Sequence, residues 1–232
     1  MKVGKLIERI QSLYSKGVAS QSTRLSDELI YNKLITSRSM ILVSESRKKR
    51  KIGEWNFQTI PCIELIKSDI YECDCINNPE CKILRSKYQL PRPLFNYDYK
   101  LLKPVTSLNG NIIFTETTFE ELKYSLLGNK FTNNIPKSFV RNRYLYLINI
   151  QGIKVVSLTG LFEDPIEVST FPNYCNSKKK KDKICVNPYD IEFPIDNYLI
   201  DYLIEITIKE LLVPFANSKE DIDNNNLDNK IL

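Results

Sequence analysis

The apolar residues of this sequence change their spacing near Gly53, and this change limits the folds that the chain can adopt. Before Gly53 they recur every three or four positions, as on one face of an α-helix. Beyond it they fall into short runs rich in Ile, Val, Tyr and Phe, which are typical of β-strands. A helical pattern returns briefly after Thr118, which is expected to cap a helix through Leu127, and again near the carboxyl end. This order of segments predicts an α+β fold and not a series of β-α-β units.

Three helices are predicted around a mainly β middle region. Residues 2–14 form a short amphipathic helix, and Ser26 caps a long helix that ends near residue 49. Asp196 is expected to cap a closing helix, which Pro214 ends because proline lacks the backbone N–H that a helix needs. The predicted segments are a helical segment at residues 1–50, a mainly β region with loops at 51–193, the closing helix at 194–216 and a flexible polar tail at 217–232.

The middle region shows one strand signal and one hairpin signal. Residues 57–66 predict a strand. Residues 144–150 and 154–161 are two β-rich runs joined by a short connection that contains Gly152, and they predict a hairpin. We therefore expect a sheet with open edges in this region.

The sequence of 232 residues contains no histidine. Histidine is the usual general base near neutral pH and the commonest metal ligand, so catalytic triads, Cys-His pairs and H-E-x-x-H zinc sites are excluded. The seven glycines form no phosphate-binding loop. These absences predict a protein that is not an enzyme and that uses no cofactor.

The chain is mildly basic, with a formal net charge of +5, and its positive charge is concentrated in two runs. Neither run contains the aromatic residues that stack on nucleic-acid bases. Solvated surface charge is the ordinary explanation of such runs, and non-specific contact with DNA phosphates or with partner proteins is the alternative. The candidate contact residues are Arg47, Lys48, Lys49, Arg50, Lys51, Lys178, Lys179, Lys180, Lys181 and Lys183.

The six cysteines offer a zinc site or a disulfide, and neither is the expected state. Four of them fall close together in the middle region, at Cys62, Cys73, Cys75 and Cys81. Their spacing lacks the paired C-x2-C knuckles of structural zinc sites, so no metal is expected. Cys175 and Cys185 bracket the second basic run, and a disulfide could join them in an oxidising environment outside the cell. Free thiols are expected in a reducing compartment.

The amino terminus and the hydropathy pattern indicate a protein that is made and kept in a cytoplasm. The first residues alternate charged with apolar side chains and lack the features of a signal peptide. No segment approaches eighteen consecutive apolar residues, which a membrane span would need. No membrane partner is expected.

Four segments read together resemble a virion structural protein of crAss-like phages. They are KGVASQSTRLSDELIYNKLITSRSMILVSESRKK at 16–49, FQTIPCIELI at 57–66, the ECDC to CKILRSKYQLPRPL stretch at 72–94 and GLFEDPIEV at 160–168. The resemblance implies a ring-forming connector between the portal and the tail, usually with twelvefold symmetry. It implies no catalytic residues.

The leading hypothesis is therefore a structural subunit of a tailed-phage virion, of the head-to-tail connector type. Such a ring or adaptor protein would join the portal to the tail and line the DNA channel. Its expected partners are further copies of itself, the portal protein and other connector or tail proteins, with non-specific contact to packaged DNA. The long helix and free terminal segments are the expected contacts. The alternatives are a DNA-binding accessory protein that uses the basic runs, another tail- or capsid-associated structural protein, and a cysteine–zinc regulatory domain.

Overall fold

Two compact units make up the chain. The helical unit combines Met1–Asn56 with Val186–Leu232, and the sheet unit is Phe57–Cys185. The structure is a computed structural model, and it describes residues 1–15, 25–48, 50–68, 83–96, 99–126, 135–150, 152–177 and 187–225.

The described residues form helices at both ends and strands between them, which confirms the predicted α+β fold. The helices are α1 (Val3–Tyr14), α2 (Asp27–Arg47), α3 (Phe119–Leu126), α4 (Pro165–Ser169), α5 (Tyr174–Ser177) and α6 (Ile200–Asn225). The strands are β1 (Gln58–Lys67), β2 (Leu84–Ser86), β3 (Phe95–Asn96), β4 (Tyr99–Lys100), β5 (Thr106–Ser107), β6 (Thr115–Glu116), β7 (Lys137–Arg141), β8 (Tyr144–Ile148) and β9 (Val155–Gly160). Short 3-10 turns lie at Glu54–Asn56, Pro188–Asp190 and Asn197–Leu199.

The first two helices lie where the apolar spacing predicts them. The side chain of Ser26 caps α2, because its Oγ accepts a hydrogen bond from the backbone N–H of Leu29 at 3.3 Å. The stripe on α1 is fully buried at Val3, Leu6 and Ile10, and α1 packs against both α2 and α6. The expectation that the amino-terminal segment is a free arm is therefore wrong, since α1 is part of the core of the helical unit.

The closing helix is longer than the sequence predicts. Pro214 lies inside α6, which continues to Asn225. A proline removes one backbone hydrogen bond and leaves those of the neighbouring turns, so it can interrupt the ladder without ending the helix. The predicted end of the helix before Pro214 is wrong, and residues 217–225 of the predicted tail are helical.

The sheet of the sheet unit closes on itself. Its strand order is β5-β9-β1-β2-β8-β7-β6, and β6 pairs with β7 in parallel. The residues just before β6 pair with the segment of β5. The N–H of Phe114 donates to the carbonyl of Val105, and the N–H of Ser107 donates to that of Ile112, each at 2.9 Å. β5 and β6 are the two ends of this strand order, and these contacts join them. Neither strand is therefore an open edge.

The hairpin predicted for residues 144–150 and 154–161 does not form. β8 pairs with β7 and β2, whereas β9 pairs with β1 and β5. The true hairpin is β7–β8, whose turn residues Asn142 and Arg143 both have positive φ, at 50° and 65°. Such two-residue turns follow the twist of paired strands. Arg at a position that favours Gly or Asn concealed this turn in the sequence.

The side chains of β8 alternate between two apolar clusters, one on each face of the sheet. Leu145 and Leu147 belong to the inner cluster, which also holds the fully buried Phe114. Tyr146 and Ile148 belong to the outer cluster, which includes Leu122 of α3. This period of two is that of a strand buried on both faces.

Candidate assembly surfaces

The first basic run lies at the carboxyl end of α2. Arg47 is the last residue of the helix, Lys48 follows it as the cap, and Arg50 and Lys51 are exposed. Cations at a helix carboxyl end are favoured by the helix dipole, so part of this charge has a structural role. Lys49 lies outside the described residues.

Glu45 partly neutralises this run. Its two carboxylate oxygens lie 3.3 Å from Lys48 Nζ and 3.3 Å from Arg50 Nη1. Burial raises the pKa of Glu45, but the hydrogen bond from Lys48 and the charge of Arg50 lower it by more, so the net pKa lies below the ordinary value. Glu45 therefore carries its negative charge at neutral pH, and the run presents less net positive charge than its sequence suggests.

The second basic run, Lys178, Lys179, Lys180, Lys181 and Lys183, lies outside the described residues. Its contact role therefore stays a prediction.

The cysteines differ from the expectation of free thiols. Cys62 and Cys175 form a disulfide with a Cα–Cα distance of 5.8 Å, which joins β1 to α5. The alternative pairing of Cys175 with Cys185 is therefore wrong. Cys62 lies at an irregularity in the β1–β9 pairing and has a positive φ of 55°. Sequence spacing could not find this pair, because the two residues are 113 positions apart and only the fold brings them together.

The zinc hypothesis loses one of its ligands to this disulfide. Cys62 does not offer a thiolate, and Cys73, Cys75 and Cys81 lie outside the described residues. In the part of the chain that the structure describes, no group of three or more acidic or cysteine residues is arranged to hold a metal ion.

The most exposed residues of α2 between Glu28 and Arg47 are uncharged. We call this surface the neutral helix face, and it consists of Leu29, Asn32, Thr36 and Met40. Leu29 is 42% exposed and Met40 is 46% exposed. Three charged residues lie in this interval. The side chain of Lys33, which is 36% exposed beside this face, pairs with Glu210 at 3.4 Å. Arg38 is buried, and Glu45 pairs with Lys48 and Arg50.

The exposed faces of the neighbouring helices carry charged residues as well as apolar ones such as Leu13 and Tyr202. Lys5, Glu8 and Arg9 are exposed on α1, and Glu205 and Lys209 are exposed on α6. Charged residues are the usual composition of a helix face in contact with water. The neutral helix face therefore has the composition of a surface that a partner protein covers.

A second neutral surface lies in the sheet unit, at the tight turn between β5 and the residues that pair back with it just before β6. We call this turn, which is separate from the β7–β8 hairpin, the hairpin tip. Its exposed residues include Leu108, Asn109, Asn111 and Ile113. Leu108 is 50% exposed and Ile113 is 62% exposed. Residues 104–115 are the longest run of the sequence without a charged residue.

The polar centre of the helical unit was missed by sequence reasoning. Arg38 is fully buried, and its guanidinium donates to the carbonyl oxygens of Pro194 and Asn56 at 2.8 and 3.1 Å. Burial lowers the pKa of Arg38 to about 10, so the side chain stays protonated at neutral pH. Asn56 also donates through Nδ2 to the carboxylate of Asp196 at 2.5 Å. This contact replaces the helix cap predicted for Asp196, whose side chain makes no capping hydrogen bond.

Gly53 is a feature of the sequence that could have indicated this polar centre. A side chain at Gly53 would collide with the carboxylate of Asp196, so only glycine fits there. The same arrangement leaves Trp55 exposed at 80%, beside Asn56. An exposed Trp is uncommon on a surface that faces only water, and Trp is often an anchor residue of protein interfaces.

These exposed apolar side chains are candidate contacts with other proteins. The chain belongs to the family of phage tail ring proteins described as phage tail ring protein 2, whose model matches residues 5–230. It is 30% identical over 202 residues to Ring protein 2 of Bacteroides phage crAss001, and the match covers 83% of this chain and 82% of that relative. The resemblance to a virion structural protein of crAss-like phages is thereby confirmed.

Membership in this family makes the chain a structural component of the virion tail. A ring protein associates with further copies of itself and with other tail proteins. Among the residues described by the structure, no helix is both long enough and apolar enough to span a membrane.

Proposed function

We propose that the chain is a head-to-tail connector, whose copies form a twelvefold ring that joins the portal protein to the tail and surrounds the DNA channel. Assembly takes place in the host cytoplasm, before the particle is released. The observation that carries the proposal is a match to a tail ring family across nearly the whole chain, in a protein with uncharged exposed surfaces.

The shape of α2 supports a role in ring contacts. Its 21 residues give a rod of about 30 Å, at about 1.5 Å per residue. Polar groups that lose water without gaining a partner weaken an interface, and the neutral helix face has few such groups to bury. A long neutral face on a rigid rod is therefore suited to contact a neighbouring subunit.

The basic run at the end of α2 supports weak contact with DNA or with acidic partner proteins. Arg47, Lys48, Arg50 and Lys51 are exposed, but Glu45 offsets part of their charge. DNA has to move through a connector, so weak and sequence-independent contact with phosphates is the useful kind. We extend the same role to Lys49 and to the second basic run.

Native mass spectrometry of the purified chain, alone and with the portal protein of the same phage, tests this proposal. We expect closed rings, or addition of twelve copies to a portal ring. A chain that stays monomeric in both samples would contradict the proposal.

DNA binding separates the connector from an accessory protein. Binding to duplex DNA is measured over a range of salt concentration, for the parent chain and for a variant with Gln at Arg47, Lys48, Arg50 and Lys51. An accessory protein would bind tightly, and the variant would lower its salt slope by about 0.9 for each lost phosphate contact. A connector binds DNA weakly and still assembles when these residues are changed. A variant with Gln at the exposed residues Lys5 and Lys209 is the control for charge alone.

A further inference from the structure

We propose that the neutral helix face of one copy binds the hairpin tip of the next copy in the ring. This inference rests on the proposed self-assembly and names the two surfaces that carry it. The occupant of the neutral helix face is therefore a second copy of this chain.

A ring of identical subunits requires two different surfaces on each copy. In a head-to-tail contact, one surface of a subunit meets a different surface of its neighbour, and the contact repeats until the ring closes. The helical unit supplies one candidate surface and the sheet unit supplies another. The two surfaces lie on different units, so each copy offers both.

The two surfaces match in their lack of charge. About a quarter of the residues in the chain are charged, since Asp, Glu, Lys and Arg make up 26% of it. The hairpin tip contains none of these residues, and Lys33, the charged side chain beside the neutral helix face, is paired with Glu210. Neither surface would therefore bury an unpaired charge in the other. Leu29 and Met40 on one side, and Leu108 and Ile113 on the other, supply the apolar area.

The hairpin tip is held rigidly before it binds. Ser107 Oγ accepts from the N–H of Ile112 at 3.0 Å and donates to Asn109 Oδ1 at 2.7 Å. The N–H of Gly110 donates to the carbonyl of Ser107 at 2.9 Å, and Gly110 has the positive φ of 72° that the turn needs. A preformed turn loses little conformational entropy on binding, which favours its use as a contact.

Single charges placed on each surface test the pairing. Met40→Glu and Ile113→Glu each introduce a carboxylate that would be buried in the contact, and we expect each to weaken self-association about tenfold or more. Glutamate is a good helix former, so Met40→Glu leaves α2 intact. The matched controls are Ser12→Glu on the exposed side of α1 and Ile135→Glu in the sheet unit, and they should assemble like the parent chain. Circular dichroism and thermal melting confirm that each variant is folded.

Mixing the two variants tests whether the surfaces bind each other. The Met40→Glu copy keeps an intact hairpin tip, and the Ile113→Glu copy keeps an intact neutral helix face. We expect the mixture to form one-to-one heterodimers that do not grow into rings. We also expect a double variant with Met40→Glu and Ile113→Lys to recover rings, because the new charges are opposite.

The outcomes separate this inference from the proposed function. If the parent chain forms rings and both single variants form the same rings, the inference is overturned and the ring function stands. Loss of rings with Trp55→Ala, while Met40→Glu assembles normally, would also overturn it and would assign the contact to the surface around Trp55. If the parent chain forms no ring alone or on the portal, the inference and the proposed function both fail.

Discussion

The helical unit and the sheet unit stabilise their interiors in different ways. The helical unit buries a charged side chain, Arg38, and satisfies it with carbonyl oxygens from Pro194 and Asn56. The sheet unit has an apolar inner cluster, and it links distant parts of its chain by the disulfide between Cys62 and Cys175. Part of the stability of the helical unit is therefore expected to come from the hydrogen bonds of this buried charge. The sheet unit depends on a covalent bond that a reductant can remove.

The largest effect is expected at the buried arginine. Arg38→Ala removes the donors for two buried carbonyl groups and leaves a cavity, so we expect it to lower the free energy of unfolding by about 3–5 kcal/mol. Urea denaturation measures the loss, and hydrogen exchange should locate it in the helical unit. Lys51→Ala, at an exposed position just after the same helix, should change stability by less than about 0.5 kcal/mol. A loss below about 1 kcal/mol for Arg38→Ala would show that the buried hydrogen bonds do not stabilise this unit.

A smaller effect is expected at the disulfide. Its two cysteines are separated by 113 residues, and a bond that closes a long loop restricts the unfolded chain. Cys175→Ser should lower stability by about 2–4 kcal/mol under non-reducing conditions. With reductant present, the variant and the parent chain should unfold alike. Peptide mapping of particles that finds Cys62 and Cys175 as free thiols would contradict this account of the sheet unit.

The helix cap of α3 should contribute about 1 kcal/mol. Thr118 Oγ1 accepts from the N–H of Glu121 at 3.3 Å, and Glu121 Oε2 accepts from the N–H of Thr118 at 3.0 Å. Thr118→Ala removes half of this reciprocal cap, so we expect a loss of about 1 kcal/mol. Thr118→Ser keeps the hydroxyl and serves as the control. Equal stability of the Ala and Ser variants would show that the cap is not needed.

The same cap predicts a small pH dependence. Hydrogen bonds from the backbone and side chains of Thr118 and Thr117 lower the pKa of Glu121 below its ordinary value of 4.5. Because the folded-state pKa is the lower one, the carboxylate stabilises the fold above pH 4.5, and this stabilisation is lost as the pH falls through the folded pKa. The stability difference between the parent chain and Glu121→Gln should therefore be constant near pH 7 and shrink below pH 4.5. A difference that grows in acid would contradict the assignment.

The two units also differ in how far the sequence predicts them. Helix contacts are local, so the spacing of Leu6 and Ile10 and the cap at Ser26 were enough to locate α1 and α2. Strand pairing is set by partners that are distant in sequence. The runs around β8 and β9 were recognised as strands, but each pairs with strands other than the one predicted.

The candidate surfaces, too, could be predicted from the sequence only where they depend on neighbouring residues. The basic residues at the end of α2 were visible in the sequence, but their pairing with Glu45 was not. The neutral helix face required knowledge of which side of α2 is buried. The hairpin tip required the closure of the sheet, which brings Val105 beside Phe114.

The most direct test of the central claim is electron microscopy of the purified chain mixed with its portal protein. We expect ring-shaped particles whose class averages show twelvefold symmetry, and we expect the Met40→Glu variant not to form them. A parent chain that stays monomeric beside an intact portal ring would contradict the claim that this protein is a connector.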